Sequence, residues 1–177
     1  MNITGGKYNG RKLLAPDANI TRPTLSKVRM GVFNTLFSML GDFEGKSFLD
    51  LFGGSGIMSL EALSRGFEEV YVCEKNQKAV QIIKKNYSSL GLKSNIYEGD
   101  SLKFLRNSDK NFDVIYIDPP YKSEIYSEVF NLIQSSSIVI AEHSEALDIN
   151  SKFKLIKEKN YGGKHVSFYK AQHMEEC

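Results

Sequence analysis

The spacing of apolar residues predicts where the helices and strands of this chain lie. From Val28 to Leu40 apolar residues recur at spacings of three and four, so we predict a helix over residues 25–40 that Thr24 or Ser26 could cap. Its apolar stripe comprises Val28, Val32, Phe33, Leu36, Phe37 and Leu40. From Ser47 onward, short β-favouring runs alternate with helix-like segments. The predicted strands are 47–52, 69–74, 94–98, 112–118 and 137–142, and the predicted helices are 56–65, 76–90, 100–107 and 123–134.

This alternation is typical of an α/β fold, in which right-handed β-α-β units build a mostly parallel sheet with helices on both faces. The C-terminal part of the chain differs from this alternation. Two consecutive segments there resemble strands, 153–160 and 164–171, and Gly162-Gly163 between them predicts a C-terminal antiparallel hairpin. We therefore expect a single domain over residues 1–177. It comprises an N-terminal arm or small hairpin over 1–24, the helix over 25–40 and the core over 47–171.

Acidic residues mark the carboxyl ends of four predicted strands. Asp50, Glu74 and Asp118 lie in the last residues of their strands, and Asp100 follows the third strand. Ligands of open α/β sheets bind at this edge. Each acid alone could be a helix cap, which is a common role at such positions. Four of them in succession favour a binding site.

A glycine-rich loop, Gly53-Gly54-Ser55-Gly56, follows the first strand and permits a tight turn close to a ligand. Glu74 lies 18 residues beyond Gly56, where an acid can bind the hydroxyls of a ribose, and Asp100 or its neighbouring backbone could meet an adenine. A dinucleotide and S-adenosylmethionine both fit this pattern. Ser59 breaks the dinucleotide fingerprint. Asp50 would also repel a pyrophosphate but attract a cationic amino group, so we favour S-adenosylmethionine.

The segment Asp118-Pro119-Pro120-Tyr121 ends a buried strand abruptly, because neither proline can donate to a sheet. An exocyclic amine on a nucleobase is a poor nucleophile until its lone pair is oriented toward an electrophile. Asp118 and a backbone carbonyl of the turn could accept from that amine while Tyr121 stacks on the base. The alternative is a strand-ending turn with a capping aspartate. We predict that these four residues form the catalytic site.

Composition and charge limit the function classes. The 177 residues carry a net charge of +2, but residues 1–30 contain six cationic side chains and one acidic side chain, Asp17. This excess of positive charge suggests that a polyanion contacts the N-terminal region. A solvated loop is the alternative. Two cysteines and three scattered histidines suggest neither a disulfide framework nor a metal site. Apolar runs are too short for a membrane span or a signal peptide. We expect a cytoplasmic monomer.

Three groups of motifs resemble the RsmD family of small-subunit ribosomal RNA guanine-N2 methyltransferases. They are Asp50-Leu51-Phe52-Gly53-Gly54-Ser55-Gly56 with Glu61-Ala62-Leu63-Ser64-Arg65-Gly66, the Asp118-Pro119-Pro120-Tyr121 element, and the arm motifs Gly6-Lys7-Tyr8-Asn9-Gly10-Arg11-Lys12-Leu13, Thr21-Arg22-Pro23-Thr24 and Val28-Arg29. The Asp-Pro-Pro-Tyr element is shared with adenine-N6 DNA methyltransferases, so the arm is the more specific part. The family usually has alanine in place of Gly53 and glycine in place of Ser59; the former exchange should keep the cofactor site.

The resemblance implies a class I Rossmann-like methyltransferase of seven strands that methylates a guanine N2 in 16S rRNA of an assembled or assembling small ribosomal subunit. The expected cofactor-binding residues are Asp50, Phe52, Gly53, Gly54, Ser55, Gly56, Glu74, Lys75, Asp100 and Ser101. The expected RNA-binding residues are Lys7, Arg11, Lys12, Arg22, Thr24 and Arg29. Three alternatives stay open: an adenine-N6 nucleic-acid methyltransferase, a non-catalytic RNA-binding assembly factor, and a dinucleotide oxidoreductase, which Asp50 disfavours.

Overall fold

The computed structural model describes residues 1–16, 25–120, 124–133 and 137–172. The predictions for Arg22, Thr24 and Tyr121 lie outside these residues. The helices are α1 (Ser26–Leu40), α2 (Ile57–Arg65), α3 (Gln77–Ser89), α4 (Ser101–Asn107) and α5 (Glu124–Leu132). The strands are β1 (Ser47–Asp50), β2 (Glu69–Glu74), β3 (Asn95–Glu98), β4 (Val114–Ile117), β5 (Ile138–His143), β6 (Phe153–Tyr161) and β7 (Lys164–Ala171).

The strands form one seven-stranded sheet in the order β3-β2-β1-β4-β5-β7-β6. Strands β1 to β5 pair in parallel, whereas β7 is antiparallel to both β5 and β6. The predicted α/β class, the mostly parallel sheet and the C-terminal hairpin are therefore confirmed. Because β1 is paired with both β2 and β4, the strand order reverses there, and a ligand crevice opens at the carboxyl ends of β1 and β4.

Apolar side chains cover both faces of the sheet, as the near-continuous apolar strands require. One core packs α1, α2 and α3 against Phe48, Tyr116 and Ile140. The other packs α4 and α5 against Leu49, Ile117 and others of the opposite face. Because side chains alternate along each strand, Asp50 projects to the same face as Phe48, which is the face covered by α1 to α3.

Helix α1 differs from the prediction in two details. Leu25 is its N-cap and makes no side-chain capping bond, while Ser26 is already helical. The helix ends at Gly41, whose φ of 80° a glycine adopts without steric cost. Phe37 is 57% exposed rather than part of the buried stripe, and its ring packs edge-on against Phe43.

Residues 1–16 of the arm form a small hairpin. Its ends are joined by an antiparallel bridge between Asn2 and Lys12, and the Ile3 N–H donates to the Arg11 carbonyl at 3.1 Å. The hairpin docks on the end of α2, where the Lys7 N–H donates to the Ser64 carbonyl at 2.7 Å. Across the described ranges, no helix has the length and apolar character that crossing a membrane requires.

Candidate active site at the carboxyl edge of the sheet

The predicted acids gather at one edge of the sheet. Asp50 and Glu74 are the last residues of β1 and β2, Asp118 directly follows β4, and Asp100 follows β3 by two residues. They lie close enough that Glu74 and Asp118 both raise the pKa of Asp50. The parallel topology therefore brings together side chains that are far apart along the chain.

Asp50 is 1% exposed and has no cation beside it among the described residues. Burial, reinforced by Glu74 and Asp118, raises its pKa to about 8, although the backbone N–H groups of Ser59 and Phe52 lower it. Its Oδ2 has no hydrogen-bond partner within the described part of the chain. A buried, unpaired carboxylate oxygen is costly unless a ligand completes it. A cationic amino group would do so.

Glu74 organises the cofactor loop through backbone donors rather than through a cation. Its Oε2 accepts from the Gly54 N–H at 2.8 Å, and its Oε1 accepts from the Asn76 N–H at 2.7 Å. The side chain is only partly buried, so each oxygen keeps a lone pair toward solvent. The carboxylate is thus fixed in position with free acceptors, which is what a pair of ribose hydroxyls needs.

The glycine loop is tight and closely packed. Gly54 and Gly56 have φ values of 54° and 76°, and Gly56 is the N-cap of α2. A Cβ on Gly53 would lie 2.2 Å from Cγ1 of Val72, although the φ of Gly53 is not positive. Ser55 is buried, and its hydroxyl accepts from the Ile57 N–H at 3.3 Å. The loop therefore brings backbone, rather than side chains, to the crevice.

The other predicted cofactor-binding residues lie in different surroundings. Asp100 is exposed and caps α4 by accepting from the Lys103 N–H at 2.9 Å, so the capping role holds whether or not it also meets an adenine. Ser101 is buried and donates to the Leu51 carbonyl, which ties α4 to the end of β1. Phe52 is half-buried, and Lys75 is exposed beside Glu74.

Asp118 is held differently from Asp50, because a cation contacts it. Its side chain is 25% exposed, and its two oxygens lie 3.5 and 3.4 Å from Nζ of Lys164. Burial raises the pKa of Asp118, and Lys164 opposes that shift. Pro119 is half-buried and Pro120 is exposed, so the turn reaches solvent at the crevice.

Glu142 and Lys164 are site residues that the sequence analysis missed. Glu142 is fully buried near the end of β5, and its carboxylate contacts the Lys164 ammonium and accepts from the Tyr116 hydroxyl. Glu142 obeys the same strand-end rule that identified the other acids, so the signal was present. Lys164 starts β7, and only the antiparallel pairing of β7 with β5 brings it to this edge.

Asn86 is a third residue that the sequence analysis missed, and it joins the arm to the cofactor loop. Buried in α3, it accepts from the Leu14 N–H at 2.8 Å. Its amide donates to the carbonyls of Leu14 and Ser55 at 3.0 and 3.2 Å. No sequence motif marks an asparagine in the middle of an amphipathic helix as such a link.

The predicted RNA-binding residues divide into exposed and buried groups. Lys7, Arg11 and Lys12 are exposed on the small hairpin, and Arg11 also donates to the Ser89 carbonyl at 3.3 Å. Arg29 is instead buried: it is 1% exposed, its Nε lies 3.6 Å from Oε2 of Glu61, and its Nη2 donates to the Asn2 carbonyl at 2.6 Å. Its prediction as a phosphate ligand is corrected, because α2 and the arm enclose its guanidinium.

Taken together, the edge offers a carboxylate for a cation, an acid for paired hydroxyls, a glycine loop for close approach, and a second carboxylate beside an open turn. These are the groups that S-adenosylmethionine would need, with Asp50 facing its amino group and Glu74 facing its ribose. Among the described residues, no cluster of three or more histidine, cysteine or acidic side chains could hold a metal ion.

Sequence comparisons agree with this arrangement. The sequence model of a family described as conserved hypothetical protein 95 matches residues 1–170. YlbH of Bacillus subtilis, named as a candidate rRNA methyltransferase, is 33% identical over 96% of this chain and 98% of its own length. Ribosomal RNA small subunit methyltransferase D of Escherichia coli K12 is 31% identical over 77% of this chain and 68% of that protein.

Solved structures share the fold. The Escherichia coli protein yhhF, described as a candidate methyltransferase, superposes with a TM-score of 0.86 at 25% identity, covering 97% of this chain and 98% of that chain. The 16S rRNA N2 G1207 methyltransferase of Thermus thermophilus, solved with AdoMet and guanosine, superposes with a TM-score of 0.67 at 18% identity. That match covers 86% of this chain and 45% of the other, and it shows a common fold only.

Proposed function

Because the chain belongs to the RsmD family, whose members are described as conserved hypothetical protein 95, we propose that it methylates the exocyclic N2 of a guanine in 16S rRNA of the small ribosomal subunit. The cofactor is S-adenosylmethionine. The observation that carries the proposal is the pair of aspartates at the ends of neighbouring strands β1 and β4. One is buried with no cation beside it among the described residues, and the other lies beside an open Pro-Pro turn. The first suits the cofactor and the second suits an amine.

The cofactor end of the edge, formed by Asp50, Glu74 and the glycine loop, binds S-adenosylmethionine and orients it. Asp50 completes its hydrogen bonding by accepting from a cationic amino group, and Glu74 accepts from the ribose hydroxyls while the Gly54 N–H holds its carboxylate in place. When bound, S-adenosylmethionine supplies an electrophilic methyl group on a positively charged sulfur. The buried position of Asp50 excludes water, which strengthens its attraction for a cation.

The acceptor end of the edge, formed by Asp118, Pro119 and Pro120, activates the exocyclic amine of the guanine. Asp118 accepts a hydrogen bond from the guanine N2, which orients the nitrogen lone pair toward the electrophile. After the methyl group is transferred, the nitrogen carries an extra proton, and the Asp118 carboxylate can accept it. Pro119 and Pro120 have no N–H to compete for the base, and their fixed φ angles keep the turn rigid. The guanine must leave its stack to reach this position.

The exposed cations of the arm supply affinity and register. Lys7, Arg11 and Lys12 would hold phosphates, which fixes the RNA without reading its sequence. The hairpin that carries them is joined to α2 through Lys7 and Ser64 and to the cofactor loop through Asn86, so a phosphate bound there has a defined position relative to the site. Shape, rather than base readout, would then select the target.

The test is the transfer of a labelled methyl group from S-adenosylmethionine to small ribosomal subunits that lack the modification, with protein-free 16S rRNA in parallel and the product nucleoside identified. We expect N2-methylguanosine. Methyladenosine would overturn the choice of base and favour the adenine-N6 alternative. Absence of transfer to either RNA, with S-adenosylhomocysteine still bound, would overturn the proposed reaction and favour a non-catalytic role.

A further inference from the structure

We propose that Lys164, held by Glu142, is a positioning residue that keeps Asp118 in its ionised, proton-accepting form. This inference rests on the proposed function, because it concerns how Asp118 would serve the methyl transfer. The three residues come from three strands, since Asp118 follows β4, Glu142 lies in β5 and Lys164 starts β7. They meet only because β7 runs antiparallel to β5 at the carboxyl edge.

The two contacts of the Lys164 ammonium are unequal. It lies in close contact with Oε2 of the buried Glu142, whereas its distances to the Asp118 oxygens, 3.4 and 3.5 Å, are at the long end for hydrogen bonds. Glu142 itself is fixed by the Tyr116 hydroxyl on its other oxygen, and the Tyr126 hydroxyl donates to its backbone carbonyl. The ammonium is therefore anchored on Glu142 and presents its charge to Asp118 without saturating the Asp118 acceptors.

This arrangement solves a conflict at the acceptor end. A base must be ionised before the amine arrives, yet burial and neighbouring carboxylates favour its protonated form. A cation bound directly and tightly to Asp118 would keep it ionised but would also occupy the oxygens that the amine needs. A cation held nearby by a second carboxylate keeps the charge and leaves the lone pairs free.

The groups that face this site from each packed element bear out the need for a cation. Burial raises the pKa of Asp118 and of Glu142, and Lys164 lowers both. The pKa of Lys164 is lowered by burial, but Asp118 and Glu142 outweigh burial and raise it overall. Within the described residues, the other titratable groups around the three are Asp50 on β1, Tyr116 on β4, Tyr126 on α5 and Tyr161 on β6, and none of these side chains is a cation.

Substitutions at the two partners should therefore change Asp118 in opposite directions. Lys164→Met removes the cation, so Asp118 should titrate at higher pH than in the wild type. Glu142→Gln removes the anion that shares the lysine, so Asp118 should titrate at lower pH. General damage to the fold would not produce shifts of opposite sign from two neighbouring residues. Lys164→Arg keeps the charge and should restore the wild-type titration.

The direct experiment is a carbon-13 NMR titration of the Asp118 carboxyl group in the free protein, assigned with Asp118→Asn. The control is Lys157→Met, which removes an exposed lysine from the same hairpin. Coincident titrations of the wild type and Lys164→Met would overturn the inference, as would shifts of the same sign in Lys164→Met and Glu142→Gln. Because neither cofactor nor RNA is present, this result is independent of whether the proposed reaction occurs.

The second readout is the pH profile of single-turnover methyl transfer. For Lys164→Met the acidic limb should move to higher pH, with the rate on that limb falling roughly tenfold for each pH unit of displacement and recovering at alkaline pH. Retained binding of S-adenosylhomocysteine would show that the variant is folded. A rate that is lower by the same factor at every pH would contradict the inference. Absence of transfer by the wild type would instead contradict the proposed function.

Discussion

The two aspartates at the edge of the sheet are the same residue type at equivalent strand ends, yet their surroundings differ. Asp50, at the cofactor end, is buried with no cation beside it in the described part of the chain, and its pKa is raised to about 8. Asp118, at the acceptor end, is partly exposed and lies beside Lys164. If the proposed function holds, a positively charged ligand completes the cofactor end, whereas Lys164 of the protein itself supplies the compensating charge at the acceptor end.

The same contrast extends to the residues around them. At the cofactor end, Glu74 is held by backbone N–H groups of the adjacent loop and helix. At the acceptor end and in α2, buried carboxylates are paired with cations. Lys164 of β7 contacts Glu142, and Glu61 pairs with Arg29 of α1 and with Arg65 one turn along α2. Four substitutions can break or sharpen this comparison.

The largest effect is expected from Asp118→Asn, which keeps the shape but removes the base. Methyl transfer should fall on the order of 10²- to 10⁴-fold, because a positioned general base contributes that much. Binding of S-adenosylhomocysteine, measured by calorimetry, should be retained, since the proposed cofactor site lies at the other end. Asp109→Asn, an exposed aspartate in the loop before β4, is the matched control. Normal transfer by the Asp118 variant would show that Asp118 is not catalytic.

The second substitution, Arg29→Met, tests whether the ion pair between Arg29 and Glu61 stabilises the fold. The free energy of unfolding should fall on the order of 3 kcal/mol, because Glu61 would stay buried after losing one of its two cations. Lys12→Met should leave stability within about 0.5 kcal/mol but reduce the salt dependence of RNA binding by about one phosphate contact. Denaturant unfolding and salt titrations measure both. An Arg29 variant with normal stability and a reduced salt slope would restore Arg29 as a phosphate ligand.

The third substitution, Asp50→Asn, tests whether Asp50 binds the cationic amino group of the cofactor. Affinity for S-adenosylhomocysteine should fall roughly 10- to 100-fold, since a hydrogen bond to a charged group contributes about 1.5–3 kcal/mol. Stability of the ligand-free protein near neutral pH should change little, because burial already favours the neutral, protonated form of Asp50 and asparagine is also neutral. Unchanged affinity would exclude Asp50 as the partner of the amino group.

The raised pKa of Asp50 adds a pH dependence with a defined sign. The folded protein binds this proton more tightly than the unfolded chain does, so the stabilising contribution is fully present below the ordinary value of 3.8 and is lost as pH rises through about 8. A cationic ligand requires the carboxylate, so binding near neutral pH should release a proton. Calorimetry in buffers of different ionisation heat should detect that proton for the wild type and not for Asp50→Asn.

The same division explains what the sequence could predict. The cofactor end is built from strand ends and the loops that directly follow them, so local patterns located Asp50, Glu74 and the glycine loop. The mostly parallel sheet followed from the alternation of strand-like and helix-like segments, and the C-terminal hairpin followed from two strand-like segments around Gly162-Gly163. The acceptor end depends on partners far along the chain: Lys164 lies 46 residues from Asp118, and nothing local marks it. Arg29 was misassigned because a cation in a basic segment resembles a surface residue. Only the folded structure shows that α1 places it against Glu61 of α2.

The last and smallest effect is expected from Gly53→Ala, which introduces the alanine usual in the resembled family. The new Cβ would lie 2.2 Å from Cγ1 of Val72 and 3.3 Å from Cδ1 of Ile83, whereas the backbone conformation itself tolerates a side chain. The loop cannot easily retreat, because the Gly53 N–H donates to the Cys73 carbonyl at 2.8 Å. Overpacking of this kind costs about 1–3 kcal/mol.

The cause of that cost can be isolated by a double-mutant cycle with Val72→Ala, because the shorter side chain removes the atom nearest to the new methyl group. The double variant should be more stable than the sum of the two single effects by about 0.5–3 kcal/mol, as measured by denaturant unfolding. Additive effects would mean that the loop, rather than Val72, yields to the alanine. S-adenosylhomocysteine affinity should then fall in the single variant, since the loop that moves would be the one that approaches the ligand. If the two substitutions couple favourably and the affinity for S-adenosylhomocysteine is unchanged, packing behind the glycine loop determines the conformation of the cofactor end. The acceptor end is instead held by charge pairs.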